Sequence, residues 1–199
     1  MDKPELELHD DIKPEFQREL PAGIEQIVAI DPFIEISTSY SDSWLNAIYE
    51  QGNYWRNLSE YGNEVAKHVS GKTFLDLGCG IPHQVPIAAE KLGAKKYIGV
   101  DKNKILKPYK RIERAMPIYG IKEDILSFLA RRSARDGTVF FSYGIDAHSY
   151  TDFERYLSAL YTEIKRLVKP GDIAFSESNV INLREAGFKV NDKGIWVIQ

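Results

Sequence analysis

A glycine-rich loop follows a short apolar segment near the middle of the chain. The loop contains two glycines one residue apart, in Asp76-Leu77-Gly78-Cys79-Gly80, which lets the backbone turn tightly and approach a ligand without interference from Cβ atoms. The helix predicted after it has first N–H groups with no partners inside the helix. Asp101 ends the next apolar segment, 21 residues after Gly80, where its carboxylate could accept hydrogen bonds from both hydroxyls of a ribose. This pattern predicts a site for a ligand that carries a ribose.

The elements that must position these residues alternate between strand and helix from Lys72 onward. Since strand–helix–strand repeats require parallel strands with helices on the faces, we expect an α/β fold with a mostly parallel sheet. A turn-rich segment near the C-terminus lies between two short apolar segments and predicts an antiparallel hairpin at the sheet edge. The predicted strands are 73–77, 97–101, 117–121, 138–142 and 173–176, with hairpin strands 188–190 and 195–198; the predicted helices are 85–92, 104–115, 126–132 and 153–168.

Other segments carry helix signals of their own. Residues 1–25 contain eight acids and three bases, and we interpret the chain to about Pro21 as a peripheral arm. The segments 43–51 and 57–69 have apolar residues at helical spacing and predict an N-terminal helical extension. Thr151 and Glu154 have the spacing of a capping box and predict the start of a helix there. The segment 183–187 has the pattern of the end of a short helix.

Four motifs of the sequence resemble those of the class I S-adenosylmethionine-dependent methyltransferases. Residues 73–80, Thr-Phe-Leu-Asp-Leu-Gly-Cys-Gly, match the first motif of that family, and residues 97–103 match its second-strand motif. Glu-Asp-Ile at 123–125 falls where the family places an acidic residue on the adenine amine, and residues 167–173 resemble the entry to its fifth strand. The resemblance covers about 66–199. It implies a Rossmann-like, doubly wound, mostly parallel seven-stranded sheet with a C-terminal hairpin.

The resemblance also implies a domain division, a cofactor and a set of site residues. Residues 1–65 would form an N-terminal arm and helical lid, and residues 66–199 the domain that binds S-adenosylmethionine. The glycines would approach the methionine and ribose, Asp101 would bind the ribose, and Asp124 with Ile125 would frame the adenine, with Glu123 as the alternative acid. Asp76 would order the loop and reach the cofactor ammonium through water, or form hydrogen bonds to backbone N–H groups instead. The implied cofactor-binding residues are Asp76, Gly78, Cys79, Gly80, Asp101, Lys102, Asp124, Ile125 and Tyr143.

Candidate residues for the methyl acceptor lie in two other segments. Methyl transfer from a sulfonium is an in-line displacement with a good leaving group, so positioning can supply much of the acceleration and no acid–base pair is required. If the acceptor must lose a proton, His148 and Asp146 follow the fourth strand, on the face where the substrate would lie; His148 is otherwise a helix-entry residue. Tyr143 either lines the transfer pocket or packs. Tyr54 and Trp55 either form a substrate-binding lid or pack between helices.

Two departures from the family pattern bear on these expectations. The third glycine of the family is replaced by Pro82, which stiffens the turn but fits a first helical position, so we expect cofactor binding to survive. The loop after the fourth strand lacks the Asn/Asp-Pro-Pro-aromatic signature of many enzymes that methylate exocyclic or amide nitrogens. The rival interpretation is a nicotinamide-dinucleotide site, but its fingerprint requires a third glycine where this chain has His83.

Composition excludes several other classes of function. A net charge of -3 disfavours a generally basic nucleic-acid binder, and we expect a small-molecule acceptor, although residues 91–114 contain nine bases and two acids that could attract RNA. The alternatives are methylation of RNA or protein, and a protein that binds the cofactor without catalysis. No apolar run approaches the roughly 18 residues of a membrane helix, and the acidic N-terminus does not resemble a secretory signal, so we expect a cytoplasmic protein without a membrane partner. The single cysteine, Cys79, excludes intrachain disulfides, and no metal site is predicted. We interpret Cys79 as a passive loop residue rather than a nucleophile.

Overall fold

The computed structural model describes residues 19–27, 62–79, 85–102, 116–133, 138–142, 150–176 and 181–199. Helices and strands alternate through most of this part of the chain. The helices are α1 (Ile24–Ile27), α2 (Gly62–Val69), α3 (Val85–Lys91), α4 (Ile125–Arg131) and α5 (Phe153–Leu167). The strands are β1 (Thr73–Leu77), β2 (Lys96–Asp101), β3 (Ile118–Lys122), β4 (Thr138–Ser142), β5 (Ile173–Ser176), β6 (Lys189–Val190) and β7 (Trp196–Val197).

The strands form one sheet in the order β3-β2-β1-β4-β5-β7-β6. The first five strands are parallel, and β7 pairs antiparallel with both β5 and β6. From β1 the chain builds outward to β2 and β3 on one side, and then returns to add β4 and β5 on the other. In such sheets the ligand crevice lies beyond the carboxyl ends of the strands at this change of direction. The loop after Leu77 therefore starts at the expected position of a site.

Two hydrophobic cores lie on opposite faces of the sheet, because successive strand residues point to opposite sides. One core holds Leu75, Leu77, Ile98 and Val100 with residues of α4 and α5. The other holds Phe74 and Tyr97 with Val65 and Val69 of α2 and residues of α3. All five residues of β1 are buried, as expected of a central strand covered on both faces. The predicted Rossmann-like α/β class is confirmed.

One local prediction is wrong, and a second holds only in part. Helix α5 is capped by Asp152, whose carboxylate accepts a hydrogen bond from the Arg155 N–H at 3.0 Å, and not by Thr151. The segment 183–187 forms turns and no regular helix, but it closes as a helix end does: the N–H groups of Phe188 and Gly187 bond to the carbonyls of Leu183 and Arg184, both at 3.0 Å, with Gly187 at a φ of 95°.

Several predicted elements involve residues outside the described part of the chain, and these stay predictions. The predicted helices 43–51 and 104–115 lie outside the described residues, as does most of the N-terminal extension. Helix α2 runs across the predicted domain boundary between residues 65 and 66. Within the described residues, no helix has both the length and the apolar character needed to cross a bilayer.

Candidate functional site

The loop after β1 is held against the end of β2 by its backbone. Gly78 has a φ of 76°, the left-handed conformation that favours glycine. This turn directs the Gly78 N–H and the Cys79 N–H to the Val100 carbonyl, at 2.9 and 3.2 Å. The sequence predicted a tight glycine turn here, and the structure shows it at Gly78; Gly80 lies outside the described residues.

Asp76, the next-to-last residue of β1, is a buried acid just before this loop, with 1% of its surface exposed. The Tyr97 hydroxyl donates a hydrogen bond to Oδ2 of Asp76, and Oδ1 has no hydrogen-bond partner among the described residues. Burial raises the pKa of Asp76 to about 7; the Tyr97 hydrogen bond opposes the shift, and the charge of Asp101 adds to it. A buried carboxyl with one unsatisfied oxygen is well suited to accept a hydrogen bond from a cationic ligand group.

Asp101 lies at the carboxyl end of the neighbouring strand, where the sequence placed it. It is 8% exposed, and its carbonyl accepts a hydrogen bond from the Glu123 N–H at 3.0 Å. Burial raises the pKa of the Cys79 thiol well above its usual value, and the charges of Asp76 and Asp101 raise it further. Cys79 therefore stays a neutral thiol, which agrees with a passive loop residue and not with a nucleophile.

Gly99 and Tyr97 lie beside Cys79 and Asp76, and the sequence alone indicated no role for either residue. A Cβ atom added at Gly99 would lie 2.9 Å from Sγ of Cys79 and 3.1 Å from the Tyr97 hydroxyl oxygen. Strand β2 thus needs a residue without a side chain at this point. The available signal was the two-residue spacing of Tyr97, Gly99 and Asp101, which places all three on one face of the strand.

The Asp124 carboxylate is occupied by the protein itself. It caps α4: Oδ1 accepts from the N–H groups of Leu126 and Ser127 at 2.8 and 3.1 Å. Its Oδ2 accepts from the hydroxyls of Tyr150 and Tyr156 at 2.7 and 3.2 Å. Burial raises the pKa of both tyrosines, and the negative charge of Asp124 raises it further, so both hydroxyls remain donors. The Asp124 carboxylate therefore stabilises the fold, and its contact with an adenine stays a prediction.

The structure also describes Ile125, Glu123 and Lys102, which the sequence predicted near the cofactor. Ile125 is 5% exposed and packs in the core that contains α5. Glu123 forms an ion pair with Arg131. The Lys102 ammonium lies 5.1 Å from the centroid of the Tyr150 ring, within the range of a cation–π contact. Lys102 thereby joins the end of β2 to the tyrosines that hold Asp124.

The remaining predicted site residues lie outside the described part of the chain. They are Tyr54, Trp55, Gly80, Tyr143, Asp146 and His148. Their assignments stay predictions.

The described residues fit an adenosyl amino acid. The unsatisfied Oδ1 of Asp76 suits an ammonium group, and the buried carboxylate of Asp101 lies at the adjacent strand end, where a ribose would be bound in a crevice of this kind. Gly78, in the left-handed conformation, adds no side-chain atoms at the start of this loop. Across the ranges that the structure describes, no group of three or more His, Cys, Asp or Glu residues could hold a metal ion.

Comparison with known proteins gives structural similarity only. No protein-family model matches the sequence, and no curated protein is significantly similar to it. A protein from Listeria monocytogenes, named as an S-adenosylmethionine-dependent methyltransferase, is 25% identical over 69% of this chain, with a TM-score of 0.40. This chain spans 65% of the length of that protein.

Two further structures are similar at lower identity. A 1,6-didemethyltoxoflavin-N1-methyltransferase from Burkholderia thailandensis, with S-adenosylhomocysteine bound, is 14% identical, with 79% of this chain and 86% of that chain covered and a TM-score of 0.45. A sugar N-methyltransferase from Streptoalloteichus sp. is 16% identical, with 75% and 58% covered and a TM-score of 0.40. These three solved structures are named as methyltransferases, and the motifs of the sequence resemble those of the class I S-adenosylmethionine-dependent family.

Proposed function

We propose that this protein is an S-adenosylmethionine-dependent methyltransferase that transfers a methyl group to a small-molecule acceptor. The observation that carries the proposal is the buried Asp76 carboxyl, with one unsatisfied oxygen, next to a left-handed glycine turn at the point where the strand order reverses. When bound, the cofactor supplies a sulfonium methyl group. Asp76 accepts a hydrogen bond from its ammonium group, and Asp101 accepts from its ribose hydroxyls.

The acceptor side of the reaction is assigned to residues beyond the described ones. Tyr143, which directly follows β4, and the acidic and basic pair Asp146 and His148 lie in the segment between β4 and Tyr150. His148 or Asp146 would take the proton of an acceptor that must lose one. Tyr54 and Trp55 would cover the acceptor. The net charge of -3 supports a small molecule over a polyanion as the acceptor.

Titration with S-adenosylhomocysteine tests the cofactor part of the proposal. We expect saturable heat at sub-millimolar ligand in isothermal titration calorimetry. Titration with NAD⁺ is the matched control, since a nicotinamide-dinucleotide site would use the same loop and Asp101. Binding of NAD⁺ without binding of S-adenosylhomocysteine would overturn the proposal in favour of that rival.

Transfer is tested separately from binding. Purified protein with methyl-labelled cofactor is incubated with pools of small nucleophiles, and with RNA and protein pools as comparison arms. We expect label in a small-molecule pool. Label in RNA, lost as salt is raised, would overturn the choice of acceptor class. Saturable binding with no transfer to any pool would contradict the transferase and indicate a protein that only binds the cofactor.

A further inference from the structure

The Tyr97 side chain lies in a cluster with four residues, which are Phe74, Asp76, Cys79 and Gly99. Its side chain is 1% exposed, and its ring stacks on Phe74 with centroids 6.1 Å apart. The hydroxyl donates to Oδ2 of Asp76, while Gly99 and Cys79 line the space beside it. Residues from two strands and a loop therefore surround one hydrogen bond.

The pairing register explains how the tyrosine reaches the acid. Phe74 pairs with Tyr97, and Asp76 pairs with Gly99, so Tyr97 lies one same-face position behind the residue opposite Asp76. The side chain must extend along β2 to reach the carboxyl. It passes Gly99, where a Cβ atom would come within 3.1 Å of its ring and its hydroxyl. The absence of a side chain at Gly99 thus makes the contact possible.

We propose that Tyr97 is a positioning residue: its hydroxyl holds Oδ2 of Asp76, so that Oδ1 is the oxygen that accepts a hydrogen bond from the ammonium group of the cofactor. This inference rests on the proposed function and deepens it. The proposed function requires Asp76 to bind the ammonium group, but it does not by itself require a tyrosine on the neighbouring strand. Tyr97 acts through Asp76 and has no assigned contact with the cofactor.

The hydrogen bond also favours the charged form of Asp76. The groups that face this carboxyl are the Tyr97 hydroxyl, the neutral Cys79 thiol and the Asp101 carboxylate. Burial and Asp101 raise the pKa of Asp76 to about 7, and the Tyr97 hydroxyl lowers it. An ammonium group favours the carboxylate, so binding of the cofactor releases the proton. Affinity should therefore rise with pH until the free protein has lost that proton.

The first test follows affinity for S-adenosylhomocysteine as a function of pH, from about pH 5.5 to about pH 8.5, in the full chain. Tyr97→Phe removes the hydroxyl and keeps the ring. We expect the rise in affinity to move to higher pH by about 1–2 units, because a hydrogen bond to a charged group is lost. Affinity at neutral pH should fall by about tenfold or more.

Tyr119→Phe is the matched control. Tyr119 lies on the adjacent strand β3 and packs in the other core, against residues such as Ile98, so the same change there should leave the pH profile unmoved. If wild-type protein binds the ligand and Tyr97→Phe has the wild-type profile, the role of Tyr97 is overturned while the proposed function stands. If wild-type protein does not bind, the proposed function and this role fall together.

A second measurement needs no cofactor. The side-chain carboxyl of Asp76 is followed by ¹³C NMR during a pH titration, with its resonance assigned from the spectrum of Asp76→Asn. In Tyr97→Phe we expect its midpoint about 1–2 pH units above that of the wild type. Equal midpoints would show that the hydroxyl does not control this carboxyl, and would overturn the proposal even if affinity had changed.

Discussion

Asp101 is the residue on which ribose binding depends most directly in the proposed site. Its carboxylate is buried at the end of β2, where it can accept two hydrogen bonds from one ribose. Asp101→Ala should weaken S-adenosylhomocysteine binding by about 10–100-fold, because hydrogen bonds to a charged group are worth about 1.5–3 kcal/mol. Calorimetric titration of both proteins measures the ratio.

The control for this variant is Asp192→Ala, which removes an exposed carboxylate from the turn between β6 and β7. It carries the same change in net charge and should bind like the wild type. Circular dichroism verifies that both variants are folded. A folded Asp101→Ala protein with unchanged affinity would show that this carboxylate does not hold the ligand.

Gly99 should tolerate no side chain. A Cβ atom there would lie 2.9 Å from Sγ of Cys79, closer than Cβ atoms approach their neighbours, and 3.1 Å from the Tyr97 ring, which is a tight contact. Gly99→Ala should lower the free energy of unfolding by about 1–3 kcal/mol through overpacking, as measured by urea denaturation. Combining it with Cys79→Ala removes the nearer of the two contacts and should restore part of the loss. A single variant as stable as the wild type would contradict the close packing.

Sequence reasoning found the residues of the site whose role depends on local order along the chain. Asp76 is the next-to-last residue of β1, Gly78 begins the loop after it, and Asp101 ends β2. Such positions can be predicted from an apolar run and the glycine after it. Tyr97 could not be found this way. Its contact with Asp76 exists only because β1 and β2 pair in one register, which depends on interactions between segments rather than within them.

The N-terminus of α4 is stabilised more strongly than that of α5. Asp124 caps α4 and also accepts from the hydroxyls of Tyr150 and Tyr156, whose rings stack at 3.8 Å. Asp124→Ala should lower the free energy of unfolding by about 2–4 kcal/mol, since it removes a cap and leaves two largely buried hydroxyls without this acceptor. Urea denaturation with fluorescence detection measures the change.

The matched variant is Asp152→Ala, which removes the exposed cap of α5. It should cost about 1 kcal/mol, the usual value for a helix N-cap. Equal losses in the two variants would show that the tyrosine contacts of Asp124 add nothing to its capping role. Asp124→Asn separates the two contributions further, because its amide oxygen keeps one acceptor.

The same elements show why helix starts were predicted less well than helix interiors. The apolar face of α5 repeats over four turns, so the central part of this helix could be predicted directly from the sequence. Its cap could be assigned to Thr151 or to Asp152, since both side chains can accept a backbone N–H. The structure selects Asp152 through the hydrogen bond from Arg155. Only the backbone conformation at the junction decides between neighbouring residues of similar chemistry.

For the whole molecule, the class of fold followed from the alternation of strand and helix patterns, whereas the order of the strands did not. The burial of every residue of β1 agrees with its apolar run and with a core on each face. The apolar residues of β1 do not indicate that β4, rather than β3, pairs with its second edge. That choice depends on connections of many residues and on packing across the sheet, which adjacent residues do not encode.

Asp76, buried in the central strand of the sheet, makes the stability of the whole molecule depend on pH. Burial raises the pKa of Asp76 from 3.8 to about 7, so the folded protein keeps a proton that the unfolded chain releases. This proton stabilises the fold fully below the unfolded pKa, and the contribution is lost as pH rises through about 7. Between about pH 5 and about pH 8 the free energy of unfolding should fall by about 3 kcal/mol from this group.

Asp76→Asn isolates that contribution, because an amide keeps an acceptor for the Tyr97 hydroxyl and has no proton to lose near neutral pH. The difference in unfolding free energy between variant and wild type, from urea denaturation at each pH, cancels the titration of the other groups. That difference should shift in favour of the variant as pH rises through about 7, by about 3 kcal/mol in total. A difference that is constant with pH would mean that Asp76 keeps an ordinary pKa in the folded protein. The unsatisfied oxygen would then be solvated, and the site would lack the buried carboxyl on which its proposed chemistry depends.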